Sequence, residues 1–297
     1  MGNGVDLHMH SFYSDDGEFS PLVLVQKCKA AGVRVMSITD HNSVKATKVA
    51  KEEAEKQGIK YISSIEIDCV FQGLEVHLLG YGIDETAPDF EKLEQQYLAS
   101  ERKASAQRLV LTRNLGFTVS EGALNALSNN EARSGVWIGE MFAEVLLGDE
   151  NYLGHDLLRP YRGDGPRGDN PYVNFYWDYY AQGKPCYVKM DLPQMTEAIK
   201  TIQKNGGKAV LAHPGNNLKG KFELFDEMVK VGIDGVEVFS SYHDDKTTQY
   251  FYKQAQKHSL CITCGSDYHG KTKPSVILGE TGYWAAPHTI LANRTTF

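Results

Sequence analysis

Short apolar runs alternate with amphipathic stretches through the first third of the chain. Residues 2–10 (GNGVDLHMH) place apolar side chains at every second position, which predicts a strand. Residues 20–32 (SPLVLVQKCKAAG) predict a helix, with Ser20 as its cap, Pro21 at the first position and Gly32 as its stop. A second strand is expected over 33–40 (VRVMSITD), then a helix over 42–58 whose charged face carries acid–base pairs. Two more strands, 59–71 (IKYISSIEIDCVF) and 74–83 (LEVHLLGYGI), flank a turn at Gln72-Gly73. Such alternation predicts βα units around a parallel sheet or barrel.

The pattern changes near residue 88. Residues 89–116 predict one long charged helix, 120–128 and 136–148 shorter ones, and 159–171 (RPYRGDGPRGDNP) only loop. Alternation resumes with strands at 183–188, 207–215, 233–241 and 260–267, separated by helices at 193–206, 221–232 and 245–259. The chain therefore divides into 1–87 and 184–297, two parts of one α/β domain, and an inserted, mainly helical cap, 88–183.

The reactive residues gather at the predicted strand ends. His8 and His10 finish the first strand, Asp40 and His41 the second, and Glu66 stands near the end of the third. His77 lies in the fourth strand, His213 ends VLAH, and Asp267 and His269 follow the last strand. In a parallel barrel these ends converge on one face. A single strand-end histidine is more often a polar cap than a ligand, but so many imidazoles and carboxylates at converging ends predict a shared cation, because buried uncompensated charge is costly. Nitrogen and oxygen donors without thiolate suit Zn, Mn or Fe. Their number exceeds one tetrahedral site, so two to three divalent metals are expected, with hydrolysis as their chemistry.

Composition narrows the partners. The 297 residues carry a formal net charge of −7 without a basic tract, which disfavours double-stranded DNA and leaves a small anionic substrate. No apolar run is long enough to span a bilayer, and the start lacks a basic segment and an apolar signal core, so a cytoplasmic enzyme is expected. Five scattered cysteines fit a reducing compartment; Cys261 and Cys264 point to opposite faces of a strand and read as core.

The stretches DLHMHSFYSDDGEFSP, SITDHNSV, SSIEID, EVHLLGYGID, GGKAVLAHPG, GVEVFSSYH and CGSDYHG resemble the PHP (polymerase and histidinol phosphatase) family, in particular its small bacterial metal-dependent phosphoesterases acting on nucleotides and short RNA. They cover about 1–85 and 184–270 and leave the insertion poorly matched. The resemblance implies a distorted (β/α)7 barrel of PHP type holding three metals: one on His8, His10, Glu66 and Asp267, a second sharing Glu66 with His77 and His213, a third on Asp15, His41 and His269. Asp15 follows the serine of the family's Ser-Asp-Gly motif, with Asp16 as the alternative ligand; Asp40 is expected to orient a neighbouring ligand. A metal-bridging hydroxide would attack phosphorus, with Asp267 central to catalysis. His243 is expected either to contact substrate phosphate or act as general acid, or to be a plain loop histidine.

Relatives of this kind that act on 3',5'-bisphosphates carry Arg-x-His on a cap helix, where this chain has Ile138 and Glu140. Arg133, Arg159, Arg162 or Arg167 would then supply the positive charge, Arg133 and Arg162 being the assigned substrate-binding residues, and Tyr172, Phe175, Tyr176 and Trp177 could stack a base. Two other readings stand beside a phosphoesterase: a metal-dependent amidohydrolase, and a non-catalytic metal-stabilised binding module.

Overall fold

The computed structural model describes residues 4–127 and 133–283; residues 1–3, where the N-terminal readings begin, and the tail 284–297 lie outside the described residues. Three parallel strands, β1 (Val5–Asp6), β2 (Val35–Met36) and β3 (Lys60–Tyr61), form one sheet in that order. A second sheet runs β4 (Ser64–Phe71), β5 (Leu74–Tyr81), β6 (Lys208–Leu211), β7 (Gly235–Ser240) and β8 (Cys261–Gly265). Its first two pairings are antiparallel and its last two parallel.

The expectation of parallel strands throughout is thus corrected: the described strands form two sheets, one of them mixed. Gln72 and Gly73 take φ of 49° and 80°, the left-handed pair of a two-residue hairpin turn. A parallel return needs a crossover of a dozen or so residues, so β5 must run back against β4. The strand expected at 183–188 is irregular instead: the Cys186 amide donates to Tyr179 O at 2.7 Å and its side chain packs in the cap.

Helices α1 (Pro21–Ala30) and α2 (Lys45–Lys56) connect the first three strands. Ser20 caps α1, its Oγ accepting from the Val23 amide at 3.3 Å, and Pro21 occupies a position whose N–H would be unpaired anyway. The insertion holds α3 (Pro88–Asn114), α4 (Glu121–Leu127), α5 (Gly139–Gly148) and α6 (Pro171–Tyr179). The chain returns through α7 (Met195–Lys204), short α8 (Pro214–Asn217), α9 (Leu224–Lys230) and α10 (Asp245–Lys257).

The apolar interior has three parts. Ile65, Ile67, Leu78, Val210, Val236 and Val238 build the largest, under the five-stranded sheet. Leu24, Val25, Met36, Ile38 and Ala50 pack α1 and α2 over the first sheet. Phe117, Trp137, Phe142, Phe175 and Tyr180 form a separate core for the insertion. The 27-residue α3 joins two of them, burying Phe90 in the first and Leu109 in the last. Each such side chain contributes about 1.5–3 kcal/mol on burial, enough to fix the cap over the sheet. Among the described residues no helix is long and apolar enough to cross a membrane.

Candidate metal centre and the pocket above it

β1 and β2 keep regular pairing for only two residues each, and the backbone beyond them stays extended without a ladder of its own. Isolated bridges anchor these extensions, Met9 to Tyr268 and His41 to Glu66. The Asp267 amide donates to His8 O at 2.8 Å, and the Glu66 amide to Asp40 O at 3.2 Å. Segments far apart in sequence therefore converge, and they carry the histidines.

Three groups of donor atoms result, the atoms within each lying within 4.8 Å of one another: His8, His10, Glu66 and Asp267; His10, Asp16, His41 and His269; His41, Glu66 and His77. In the first, His8 Nε2 stands 3.2 Å from both Glu66 Oε2 and Asp267 Oδ1. His10 Nε2 stands 3.2 Å and 3.1 Å from the same two oxygens. In the second, His269 Nε2 is 2.9 Å and His41 Nε2 3.8 Å from Asp16 Oδ2. His213 Nε2 approaches Glu66 Oε1 at 3.4 Å, and His77 Nδ1 approaches the same oxygen at 3.2 Å.

The far sides of the His8, His10 and His269 rings are tied down. His8 Nδ1 faces Glu237 Oε1 at 3.0 Å, and the other Glu237 oxygen accepts from the His213 amide at 2.8 Å. Ser14 Oγ accepts from the His41 amide at 2.9 Å, donates to Asp40 Oδ1 at 3.1 Å and lies 2.8 Å from His10 Nδ1. That arrangement places the His10 proton on Nδ1 and leaves Nε2 as the inward lone pair. His269 Nδ1 donates to Asp267 O at 2.8 Å with the same result. Outer partners of this kind select tautomer and ring orientation in metal sites. Asp40 acts as expected, through Ser11 and Ser14 rather than by pointing inward.

Electrostatics follow the packing. Burial drives the His10 imidazole down to about 4, and the neighbouring His269 and His41 act in the same sense, so the ring is the neutral, ligating form. Burial opposes ionisation of Glu66 and Asp267, but surrounding cations outweigh it: His8, His41 and His77 hold Glu66, and Lys273 and His8 hold Asp267, well below the usual carboxylate range. Asp267 has φ of 57°, an uncommon backbone state for a residue with a side chain. Asp6 holds the neighbouring turn, accepting from Ser266 Oγ at 2.6 Å and the Gly279 amide at 2.8 Å.

Whether these residues fit metal is tested by their unpaired atoms. His10 Nε2, His213 Nδ1, His269 Nε2 and Asp16 Oδ1 are all buried without a properly directed hydrogen bond. Leaving one such atom unpaired costs about 1–3 kcal/mol. Three of them, on His10, Asp16 and His269, belong to one donor group, and nitrogen and oxygen donors without thiolate fit a divalent transition metal.

Several expectations are corrected by placement. Asp16, not Asp15, faces His269 and His41; Asp15 turns away to an ion pair with the buried Arg133 and accepts from Tyr97 Oη at 3.3 Å. Gly17 explains the offset: a Cβ there would lie 2.0 Å from Ser11 O, so the turn is fixed by the glycine and the residue just before it. Arg133 is accordingly occupied by Asp15, with Glu94 3.8 Å away. Arg162 donates to Leu147 O at 2.7 Å inside the cap and lines no described pocket. His243 is committed on both nitrogens, Nδ1 donating to Val238 O at 2.8 Å and Nε2 accepting from the Gly215 amide at 3.0 Å, so it braces α8, just after His213. His77 enters through the hairpin rather than a parallel strand end, directly opposite Asp68.

Asp68, Glu237 and Lys273 belong to the arrangement and were not singled out. Asp68 lies 3.0 Å from His41 Nδ1, and its position two residues after Glu66 was a legible same-face signal. Glu237 inside an apolar strand was another, since a buried acid demands a partner. Lys273 donates to Asp267 Oδ2 at 2.7 Å; nothing in its sequence neighbourhood marks it.

Above the histidines opens a cavity of about 980 Å³, mouth included. Asp16, His41, His77 and Lys273 form its floor, and Ile138, Glu140, Tyr176 and Trp177 its cap wall. Burial, then the nearby Asp16, raises Glu140 to about 8. Phe175 is inside the cap core, and Tyr172 packs against that core. Cys261 and Cys264 are free thiols.

Residues 6–145 match the family model of the PHP domain. The chain is 28% identical over 272 residues to a 5'-3' exoribonuclease of Haemophilus influenzae, with 91% of each chain covered. It is 26% identical over 289 residues to a 3',5'-nucleoside bisphosphate phosphatase of Chromobacterium violaceum, covering 93% of this chain and 91% of that one. A solved amidohydrolase structure from Chromobacterium violaceum, with bound sulfate and no metal, shares the fold at a TM-score of 0.78 and 22% identity, over 97% of this chain and 93% of that chain.

Proposed function

We propose, from the premise that this chain carries a PHP domain over residues 6–145, that it is a metal-dependent phosphoesterase hydrolysing a small phosphomonoester or nucleotide-like phosphate ester. The observation that carries the reading is the convergence of six imidazoles with Asp16, Glu66 and Asp267, several of their inward atoms unpaired. His8, His10, Asp16, His41, Glu66, His77, His213, Asp267 and His269 would hold two to three divalent metals, Mn, Zn or Fe. Such metals, when bound, supply Lewis acidity toward phosphoryl oxygens and lower the pKa of an attacking water. Around them this chain positions and neutralises. Glu237 and Ser14 fix the rings of His8 and His10, and Lys273 pairs with the Asp267 carboxylate and offsets its charge.

We read 1–87 and 184–297 as a distorted PHP-type barrel and 88–183 as its cap. The relatives named for nucleotide and RNA substrates support a nucleotide or short RNA as the ester. Five free cysteines support a reducing compartment, the cytoplasm. The test is a panel of p-nitrophenyl phosphate, nucleotides and cyclic amides with added Mn. Turnover of the esters, abolished by chelation, is expected; turnover of the amides alone would contradict the assignment.

A further inference from the structure

On the phosphoesterase reading, the floor of the cavity takes the phosphate. The cap wall facing it raises a different question, namely which charge the rest of the substrate carries. Glu140 stands in the first turn of α5, only 9% exposed, lines the cavity, and its carboxyl takes a hydrogen bond from its own backbone amide, with no pairing to another described side chain. A first-turn acid gains about 0.3–1 kcal/mol from the helix terminus when exposed. Burying a carboxyl with no partner beyond its own amide costs more than that, so helix stability does not account for it.

The arginine and lysine side chains that line the cavity, Arg108 and Lys273, are already committed. Arg108, which lines the cavity, directs both terminal guanidinium nitrogens at Glu101. Arg133 pairs with Asp15, and Lys273 with Asp267 on the floor. Lys219 is exposed, 5.9 Å from the Trp177 ring centroid, and does not line the cavity. Among the described residues no unpaired guanidinium or ammonium therefore faces the cavity from the cap. A second phosphate would meet Glu140, Glu101 and Glu75 without the charged donors that normally bind it.

What remains on the wall is flat and apolar beside one acid. Tyr176 and Trp177 present rings, and Ile138 and Val173 aliphatic surface. The placement is tight: a Cβ on Gly139 would lie 2.8 Å from both Tyr176 Cδ2 and Tyr180 Cγ, so α5 and α6 pack backbone to ring and set Glu140 next to the aromatics.

We propose that Glu140, Tyr176 and Trp177 select phosphate esters whose leaving group is an amine-bearing aromatic base on its sugar, and exclude those carrying a second phosphate. This rests on the phosphoesterase reading and specifies its substrate. In either protonation state a carboxyl oxygen of Glu140 accepts from an exocyclic N–H, while the rings stack the base, an interaction worth about 1–3 kcal/mol per base.

The experiment compares kcat/KM for p-nitrophenyl phosphate, 3'-AMP, 5'-AMP and adenosine 3',5'-bisphosphate on the metal-loaded full chain. The better AMP isomer is expected to exceed the bisphosphate by at least about tenfold. Glu140→Arg should raise the bisphosphate-to-AMP ratio by about tenfold, and the nearly isosteric Glu140→Gln should move it the same way by less, which keeps the test alive if the arginine variant does not fold. Trp177→Leu should lower kcat/KM for AMP more than for p-nitrophenyl phosphate. A wild type that prefers the bisphosphate, or a ratio unmoved by both Glu140 variants, overturns the inference while leaving the phosphoesterase reading intact. Inertness toward all four esters would overturn that reading, and the inference with it.

Discussion

The floor and the cap wall of one cavity spend their charges in opposite ways. On the floor, the outward nitrogens of His8, His10 and His269 are tied to Glu237, Ser14 and the Asp267 carbonyl, while inward atoms such as His10 Nε2 stay unpaired. On the wall, Arg108 is already closed into a pair with Glu101, and the open group is an acid, Glu140. A surface that leaves lone pairs open asks for cations; one that closes its cations and leaves an acid open turns anions away. The two halves thus answer different questions, the floor which bond is attacked and the wall which molecule is admitted.

Substitutions can pull the halves apart. Asp267→Asn removes a shared donor of the floor and should reduce turnover of p-nitrophenyl phosphate by about 1000-fold or more, with loss of bound metal and little change in circular dichroism. Asp15→Asn should act on stability, because it strands a buried Arg133; a loss of about 3 kcal/mol in denaturant unfolding is expected, against a much smaller loss for Asp16→Asn. Should Asp15→Asn strip metal instead, the two carboxylates have been assigned the wrong way round. Glu237→Gln, which weakens the hold on His8 and His213, should lower metal affinity about 10- to 100-fold in a chelator competition, leaving the wall's substrate ratio unchanged. Gly139→Ala should do the reverse: about 1–2 kcal/mol of stability lost to the clash with Tyr176 and Tyr180, and metal content unaltered.

That division matches what could be read from the chain beforehand. Strand-end His8, His10, His41 and Asp267 carry their chemistry in short apolar contexts, and period-2 alternation alone puts His8 and His10 on one side. The hairpin at Gln72-Gly73 was visible as a turn, yet its consequence, an antiparallel β5 that sets His77 against Asp68, was lost in the expectation of parallel strands. The short ladders of β1 and β2 were not legible either, since their extensions are held by bonds to β8 and β4, more than twenty residues away in sequence. Asp16 stood only as the alternative to Asp15 because adjacency to Ser14 weighed more than adjacency to Gly17, whose tight approach to Ser11 sets the turn. The cap was the least legible part. Whether an arginine is free or paired depends on contacts such as Arg108 with Glu101 and Arg162 with the Leu147 carbonyl, and no spacing rule reports them.

Metal stoichiometry tests the central claim most directly. Elemental analysis of the purified chain, set beside Asp267→Asn, is expected to give two to three transition-metal ions per wild-type chain and a clear loss in the variant. Less than one tightly held ion in the wild type, or equal content in both proteins, would contradict it.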